Sequence, residues 1–332
     1  MSILSQAAHP VIFDTDPGVD DAMALFYAMA HPAIDLVGIT TTFGNVTVQQ
    51  AVVNALYLTQ LCGRSAIPVT QGAAQSIGKV DDEPAAFIHG ADGLGNLPTR
   101  VPTTRVADPR SSAQFIVDMA RERPGEITLV PVGPLGNVAQ ALQIEPRLPQ
   151  LLKRVVVMGG SVLAPGNVSP VAEANIWKDP HAADAVFTAG FHLDMVGLDV
   201  TYSVVFPMST FTQMAAHHQH PATDVLLHAV KFYANFYATR FADAAQVGGC
   251  YGHDVLAFLY LVHPEFFGTA QGRMRVVTEG IASGQTILNR RPDIDYPQTG
   301  WGTDMPNTTA CMTVNSAACV AEFEHTLLSD WL

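Results

Sequence analysis

Charge is scarce in this 332-residue chain: Asp, Glu, Lys and Arg make up 14% of it, against 48% hydrophobic residues. That balance excludes a disordered or fibrous polymer and leaves ample material for a buried core. Basic residues are the scarcest, with 17 Lys and Arg facing 30 Asp and Glu for a net charge of −13. Nucleic acids and anionic membranes reward a basic surface, so neither is expected as a partner. The four cysteines, Cys62, Cys250, Cys311 and Cys319, are scattered and form no C-x-x-C pair, which argues for reduced thiols rather than a disulfide framework. No uninterrupted apolar run approaches the length of a membrane span. The first ten residues carry neither a basic stretch nor a long apolar one, so a secretory signal is not expected and a cytoplasmic location is. With no repeat, low-complexity tract or linker, residues 1–332 read as a single domain.

What is present is concentrated first in Val11-Ile12-Phe13-Asp14-Thr15-Asp16-Pro17-Gly18-Val19-Asp20-Asp21. Val11 to Phe13 form the short apolar run of a strand buried on both faces, and Met23, Phe26, Tyr27 and Ala30 then recur at helical spacing. Strand, Pro-Gly turn and helix follow in that order. Asp14, Asp16, Asp20 and Asp21 therefore gather at the carboxyl end of a strand, where open α/β sheets place their ligands. Four carboxylates in one turn repel each other unless something positive sits among them. An all-oxygen donor set selects a hard cation such as Ca²⁺ or Mg²⁺. An EF-hand loop starting at Asp14 would need Gly where Val19 stands and Glu where Leu25 stands, so that geometry is excluded. Acids compensating a helix N-terminus would account for Asp20 and Asp21, but not for Asp14 and Asp16 as well.

The rest of the chain repeats the pattern of β-branched run, polar turn and helix. Leu36 to Thr42 ends at Phe43-Gly44-Asn45, Ile67 to Thr70 precedes a Gly- and Pro-rich segment from 71 to 102, and Ile127 to Val130 ends in Val132-Gly133-Pro134-Leu135-Gly136-Asn137. Arg154 to Gly160 is a fifth strand, followed by Gly166-Asn167 and by Glu173-Ala174-Asn175. Glu173 and Asn175 stand in an apolar setting where they need partners, which a polyhydroxylated ligand would supply. Leu193 to Leu198 is a sixth strand leading to Asp199-Val200-Thr201; Arg275–Thr278 and Gln285–Leu288 read as a hairpin. Asp108-Pro109 and Asp179-Pro180 read as caps at helix starts. The run 217–220, His-His-Gln-His, has no further ligands at metal-site spacing and is expected to be a solvated loop. A long helix from Thr223 carries two stripes, Phe232, Phe236, Arg240 and Tyr233, Tyr237, Phe241; which of them faces a site is open. These elements specify an open, mostly parallel mixed sheet flanked by helices, Rossmann-like in plan.

Asp-Thr-Asp-Pro-Gly-x-Asp-Asp after an N-terminal apolar strand resembles the signature of the nucleoside hydrolases, the inosine-uridine-preferring ribohydrolase family. Further segments resemble it in order: Asn45, His89-Gly90-Ala91-Asp92-Gly93-Leu94, 133–137, 158–175, His253-Asp254 and 306–307. The resemblance implies a nucleoside hydrolase fold and Ca²⁺-dependent cleavage of ribonucleosides to base and ribose. It implies Asp16, Asp21, Asp254 and the Gly136 carbonyl as cation ligands, with Asp16 also the general base. Asp20, Asn45, Asn167, Glu173 and Asn175 would grip ribose hydroxyls, and Met158 would touch the substrate. His253 is the implied proton donor to the leaving base, with His89 on the base side and Tyr233, Tyr237 or Arg240 overhanging it. The resemblance also implies a homodimer or homotetramer.

Three positions depart from the family: Gly136 for Thr, Ala174 for Phe and Val255 for Pro. A carbonyl ligand survives the first change; the second removes an aromatic ring beside the substrate. Two other readings compete. Asp14-Thr15-Asp16 mimics the nucleophile motif of haloacid-dehalogenase-like phosphatases, which does not explain His253-Asp254 or Glu173-x-Asn175. A nucleoside- or ribose-binding protein without turnover is the other.

Overall fold

The computed structural model describes residues 8–332 except 79–82, 292, 295, 299, 303 and 304; four residues of the 71–102 segment, 79–82, thus lie outside the described residues. Twelve strands form among the described residues: β1 (His9–Thr15), β2 (Ile34–Thr41), β3 (Val69–Gln71), β4 (Asp108–Ser111), β5 (Thr128–Pro131), β6 (Arg154–Met158), β7 (Leu193–Val196), β8 (Val205–Pro207), β9 (Gly249–Tyr251), β10 (Phe267–Val276), β11 (Thr286–Asn289) and β12 (Asn307–Val314). Ten of them make one sheet in the order β11-β10-β12-β7-β6-β5-β1-β2-β3-β4, and β8 with β9 make a small antiparallel pair. β10 runs antiparallel to both β11 and β12, and the remaining pairs in the large sheet are parallel. The expected mixed sheet is the one observed, and the expected hairpin is β10–β11. No helix among the described residues is long and apolar enough to cross a membrane.

β1 shows why the apolar runs are unbroken. Val11 and Phe13 enter the core on one face of the sheet, while Ile12 enters the core on the other. Each such fully buried side chain is worth roughly 1.5–3 kcal/mol, and a strand covered on both faces gains it at every position. Helices Val19–Ala30, Pro221–Ala238, Val255–Val262 and Ser316–Leu327 cover the first face; Ser112–Glu122, Gly136–Ile144 and Pro180–Thr188 cover the second. β1 lies between β5 and β2, so the chain winds away from it in both directions. The carboxyl ends of β1 and β5 diverge there, and such a switch point leaves a crevice.

Two local expectations are corrected. Asp108-Pro109 does not cap a helix: Asp108–Ser111 is the edge strand β4, and Ser111 caps the helix by accepting from Gln114 N at 3.2 Å. The 217–220 run is not a solvated loop. His217 and His218 end a helix, His218 Nε2 meets the Leu327 carbonyl at 2.7 Å, and His220 caps the next helix. Asp179 does cap Pro180–Thr188, accepting from Ala182 N.

Candidate active site

The β1 turn folds around its own carboxylates. Asp14, the last inward side chain of the strand, accepts from Thr40 Oγ1 at 2.6 Å and Asn137 Nδ2 at 2.7 Å. Asn137 also donates to the Thr41 carbonyl and accepts from Ala73 N, so it ties β1, β2 and the β3 exit to the β5 turn. Asp21, in the first helical turn, reaches back: Oδ1 accepts from Thr15 Oγ1 (2.5 Å) and Asp16 N (3.3 Å), Oδ2 from Gly18 N (2.8 Å) and Asn45 Nδ2 (2.9 Å). Asp16 Oδ2 accepts from Asn45 N at 2.5 Å. Asn45 therefore serves the carboxylates with both its main chain and its side chain. Two glycines make room for Asp16: a Cβ on Gly133 would lie 2.5 Å from Asp16 Oδ1, and one on Gly44 would collide with Oδ2.

Asp254 joins this turn from across the fold. It precedes helix Val255–Val262 but gives it no side-chain cap, leaving its carboxylate to the cluster. Asp20, Asp21 and Asp254 bring one oxygen each within 4.8 Å of one another, and all three are buried. The compact trio thus contains Asp20, whereas Asp16 is drawn toward Asn45. Burial and the charge of Asp21 raise the Asp16 carboxyl well above its ordinary range, and the same two causes push Asp20 up to about 8. Burial, then Asp20, Asp21, Asp16 and Glu173, raise Asp254 well up. Asp16 Oδ1, Asp20 Oδ1 and Asp14 Oδ2 are buried and have no hydrogen-bond partner among the described residues. Orphaned buried oxygens among mutually repelling carboxyls are what a hard divalent cation would satisfy.

Above the acids lies a cavity of about 810 Å³. Asp20, Asn45, His89, Met158, Asn167, Glu173, Asn175, Tyr233, Tyr237, Arg240, His253 and Asp254 all line it, whereas Asp16, Asp21 and Gly136 lie outside its lining. Gly136 opens helix Gly136–Ile144, where a Cβ would face Ala73. Glu173 and Asn175 do not depend on a ligand for partners, contrary to expectation. Glu173 caps a short helix, accepting from Gly160 N, Asn175 N and Ile176 N, and Asn175 Nδ2 donates to the Val132 carbonyl at 2.7 Å. Ala174 lines the cavity at the position where an aromatic was expected.

The opposite wall is aromatic. His89 is the buried last residue of a short, otherwise largely exposed helix rather than an exposed loop residue, and its Nδ1 accepts from Val19 N at 3.1 Å. Burial, then His253 and Lys178, lower its pKa to about 3, so its 3.8 Å approach to Asp20 is not an ion pair. Tyr233 and Tyr237 are buried, while Phe236 and Arg240 stack at the rim, with the guanidinium 4.4 Å from the ring centre. Both stripes of the long helix therefore reach the cavity. A continuous chain of polar atoms runs Tyr233 Oη–Tyr237 Oη (3.2 Å), Tyr237 Oη–His253 Nε2 (3.1 Å) and His253 Nδ1–Thr201 Oγ1 (2.8 Å). Burial lowers the His253 pKa to about 4, leaving a neutral imidazole at pH 7.

Sequence reasoning assigned no role to Lys178, Thr201, Tyr202 or Tyr251. Lys178, Tyr202 and Tyr251 line the cavity, and Thr201 backs His253. Only for Lys178 was there a signal: it stands three residues after Asn175 on one short helix and so shares its face.

The sequence profile described as inosine-uridine preferring nucleoside hydrolase matches residues 11–321. A probable uridine nucleosidase 1 of Oryza sativa subsp. japonica is 37% identical over 310 residues, covering 90% of this chain and 94% of the relative. Among solved structures, a plant nucleoside hydrolase superposes with a TM-score of 0.90 at 34% identity, covering 97% of this chain and 99% of the other. A purine-preferring ribonucleoside hydrolase from Gardnerella vaginalis superposes with a TM-score of 0.87 at 33% identity over 96% and 98%.

Proposed function

This chain belongs to the inosine-uridine preferring nucleoside hydrolase family, and from that membership we propose that it cleaves the N-glycosidic bond of ribonucleosides with Ca²⁺, giving free base and ribose. The observation that carries the proposal is the burial of Asp16, Asp20, Asp21 and Asp254 beneath one aromatic-walled cavity at the switch point of the sheet. Membership leaves the phosphatase reading without support, and nothing needed for turnover is missing for a mere binding protein.

Asp16, Asp21, Asp254 and the Gly136 carbonyl would hold the cation, with Asp20 within reach. A bound divalent cation supplies a water of lowered pKa at the sugar. Asp16 takes the proton of the attacking water on Oδ1, the oxygen no described protein group occupies. The sugar becomes oxocarbenium-like as the bond to the base breaks, and the surrounding carboxylates match that positive charge. Asp20, Asn45, Asn167, Glu173 and Asn175 orient the ribose through its hydroxyls, which a 2′-deoxy sugar cannot fully engage. Met158, buried beneath Asn175, packs under the sugar.

The base leaves toward His89, Tyr233, Tyr237 and Arg240. His253, neutral at rest, takes up a proton from water, and as the bond to the base breaks the imidazolium hands it to Tyr237 Oη while that hydroxyl gives its own proton to the departing base, which returns His253 to the neutral form. Relatives named for uridine and for purines do not single out a base for this chain. One domain over residues 1–332, assembled as a dimer or tetramer in the cytoplasm, completes the proposal; light scattering of the purified protein tests the assembly.

The test is ribose release from inosine, uridine, adenosine, guanosine, cytidine and their 2′-deoxy forms, before and after chelation of calcium. Ribose from the ribonucleosides, lost on chelation and restored by Ca²⁺, is expected. No ribose from any of them with calcium bound would refute the proposal.

A further inference from the structure

Asp199 has no role in the chemistry described above, yet its carboxylate is placed with care. It stands on the short helix Leu198–Thr201 that follows β7 and lines the cavity. Three consecutive main-chain N–H groups converge on it: Val162 N donates to Oδ2 at 2.7 Å, and Leu163 N and Ala164 N donate to Oδ1 at 2.7 and 3.0 Å. Such a run of N–H groups forms a concave anion site, and bonds to a charged acceptor are roughly twice as strong as neutral ones. The loop bound this way leads directly to Asn167. Ser161 Oγ closes onto the Ala164 carbonyl, and Asn167 N donates to the Ala172 carbonyl at 3.1 Å, so the segment between Asp199 and Glu173 is one folded unit. Its other anchor is Thr286 on β11, which bonds Ser161 N and the Ser161 carbonyl at 2.9 and 2.6 Å.

We propose that Asp199 is a positioning residue for ribose recognition, acting through Asn167. The inference rests on the reading above that Asn167 contacts the sugar. Asn167 itself is exposed and receives no side-chain hydrogen bond from the protein among the described residues, so the loop backbone alone sets where its amide stands. Neutralising the carboxylate leaves three N–H groups around an amide that can accept from only part of them and turns its own NH₂ toward the rest. The loop then no longer presents Asn167 in one place, and binding weakens before and during the reaction alike.

The experiment is a double-mutant cycle on the calcium-loaded enzyme. Asp199→Asn and Asn167→Ala are each expected to lower kcat/KM for the best ribonucleoside about tenfold, chiefly through KM. Because they act through one contact, the double variant should lose no more than about twofold beyond Asn167→Ala. Multiplicative losses, or an undiminished Asp199→Asn beside an impaired Asn167→Ala, overturn the positioning role while leaving the ribose contact intact. An unimpaired Asn167→Ala refutes the ribose contact and the inference with it. Thermal melting checks the fold; should Asp199→Asn fail to fold, Ser161→Ala loosens the same loop and is expected to show the same non-additivity, its additivity counting against the proposal.

Discussion

Replacing His253 by Ala isolates leaving-group protonation. The ring is buried and held from two sides, at 2.8 Å by Thr201 Oγ1 and at 3.1 Å by Tyr237 Oη. Deleting it breaks the only link from Thr201 to the tyrosine pair among the described residues. General acid catalysis contributes about 10²- to 10⁴-fold, so kcat/KM on inosine or uridine should fall by that range, equivalent to about 3–5 kcal/mol. p-Nitrophenyl riboside, whose leaving group departs without a proton, should lose less than about threefold. The deletion also orphans the buried Thr201 hydroxyl at about 1–3 kcal/mol, while Tyr237 Oη keeps Tyr233, and this lowers the melting temperature. That loss reduces the folded fraction equally for both substrates, so the ratio of the two kcat/KM values, measured in one preparation, is insensitive to it. Parallel losses on nucleoside and p-nitrophenyl riboside would remove His253 and the tyrosine relay from the proton path.

Asp16→Asn should abolish turnover on every substrate, p-nitrophenyl riboside included, because the water loses its base; measurable activity in that variant rules out the assignment. Gly133→Ala places a methyl 2.5 Å from Asp16 Oδ1 and should cut kcat by at least about tenfold with little change in melting temperature; wild-type kcat would show that Asp16 has room to move. The metal-free protein should lose stability with rising pH. Asp14 and Asp20 titrate near about 6 and 8 when folded, against 3.8 as ordinary carboxyls. The folded chain therefore holds protons that the unfolded chain has released, and stability falls between about pH 4 and 8. Asp14 alone contributes on the order of 3 kcal/mol to that loss above its folded pKa. Melting of chelated protein should thus be higher at pH 5 than at pH 8, with Ca²⁺ reversing the order; a chelated protein more stable at pH 8 contradicts the buried-carboxyl account.

The legible parts of this protein are those written within one turn of chain. Val11 to Asp21 contains its own strand, its own Pro-Gly turn and four acids, and the structure keeps them together because Asp21 bonds back to Thr15 and Gly18. Asn45, Glu173 and Asn175 stand just past strand ends, which parallel sheets gather at one edge, whereas His89, Asn167, His253 and Asp254 were singled out through the resemblance to the nucleoside hydrolases; all seven line the cavity. Periodicity also separated the two stripes of the long helix, but both reach the cavity because a helix lying along its wall shows more than one face.

Tertiary structure decided the rest. Asp254 meets Asp20 and Asp21 only because the chain returns over more than two hundred residues to the same switch point, and burial there turns ordinary acids into carboxyls of raised pKa. Composition along the chain carries no dielectric, so no motif could announce that shift. Thr201 behind His253 and Asp199 beneath the Asn167 loop, though placed just past a strand, were given no role from sequence for the same reason. Their partners lie 52 and 35 to 37 residues away, joined by hydrogen bonds that exist only once β6, β7 and the helix after β9 are packed side by side. Local spacing determined which groups the site contains; packing of the sheet ends determined which of them touch, and so which can share a proton or hold a loop.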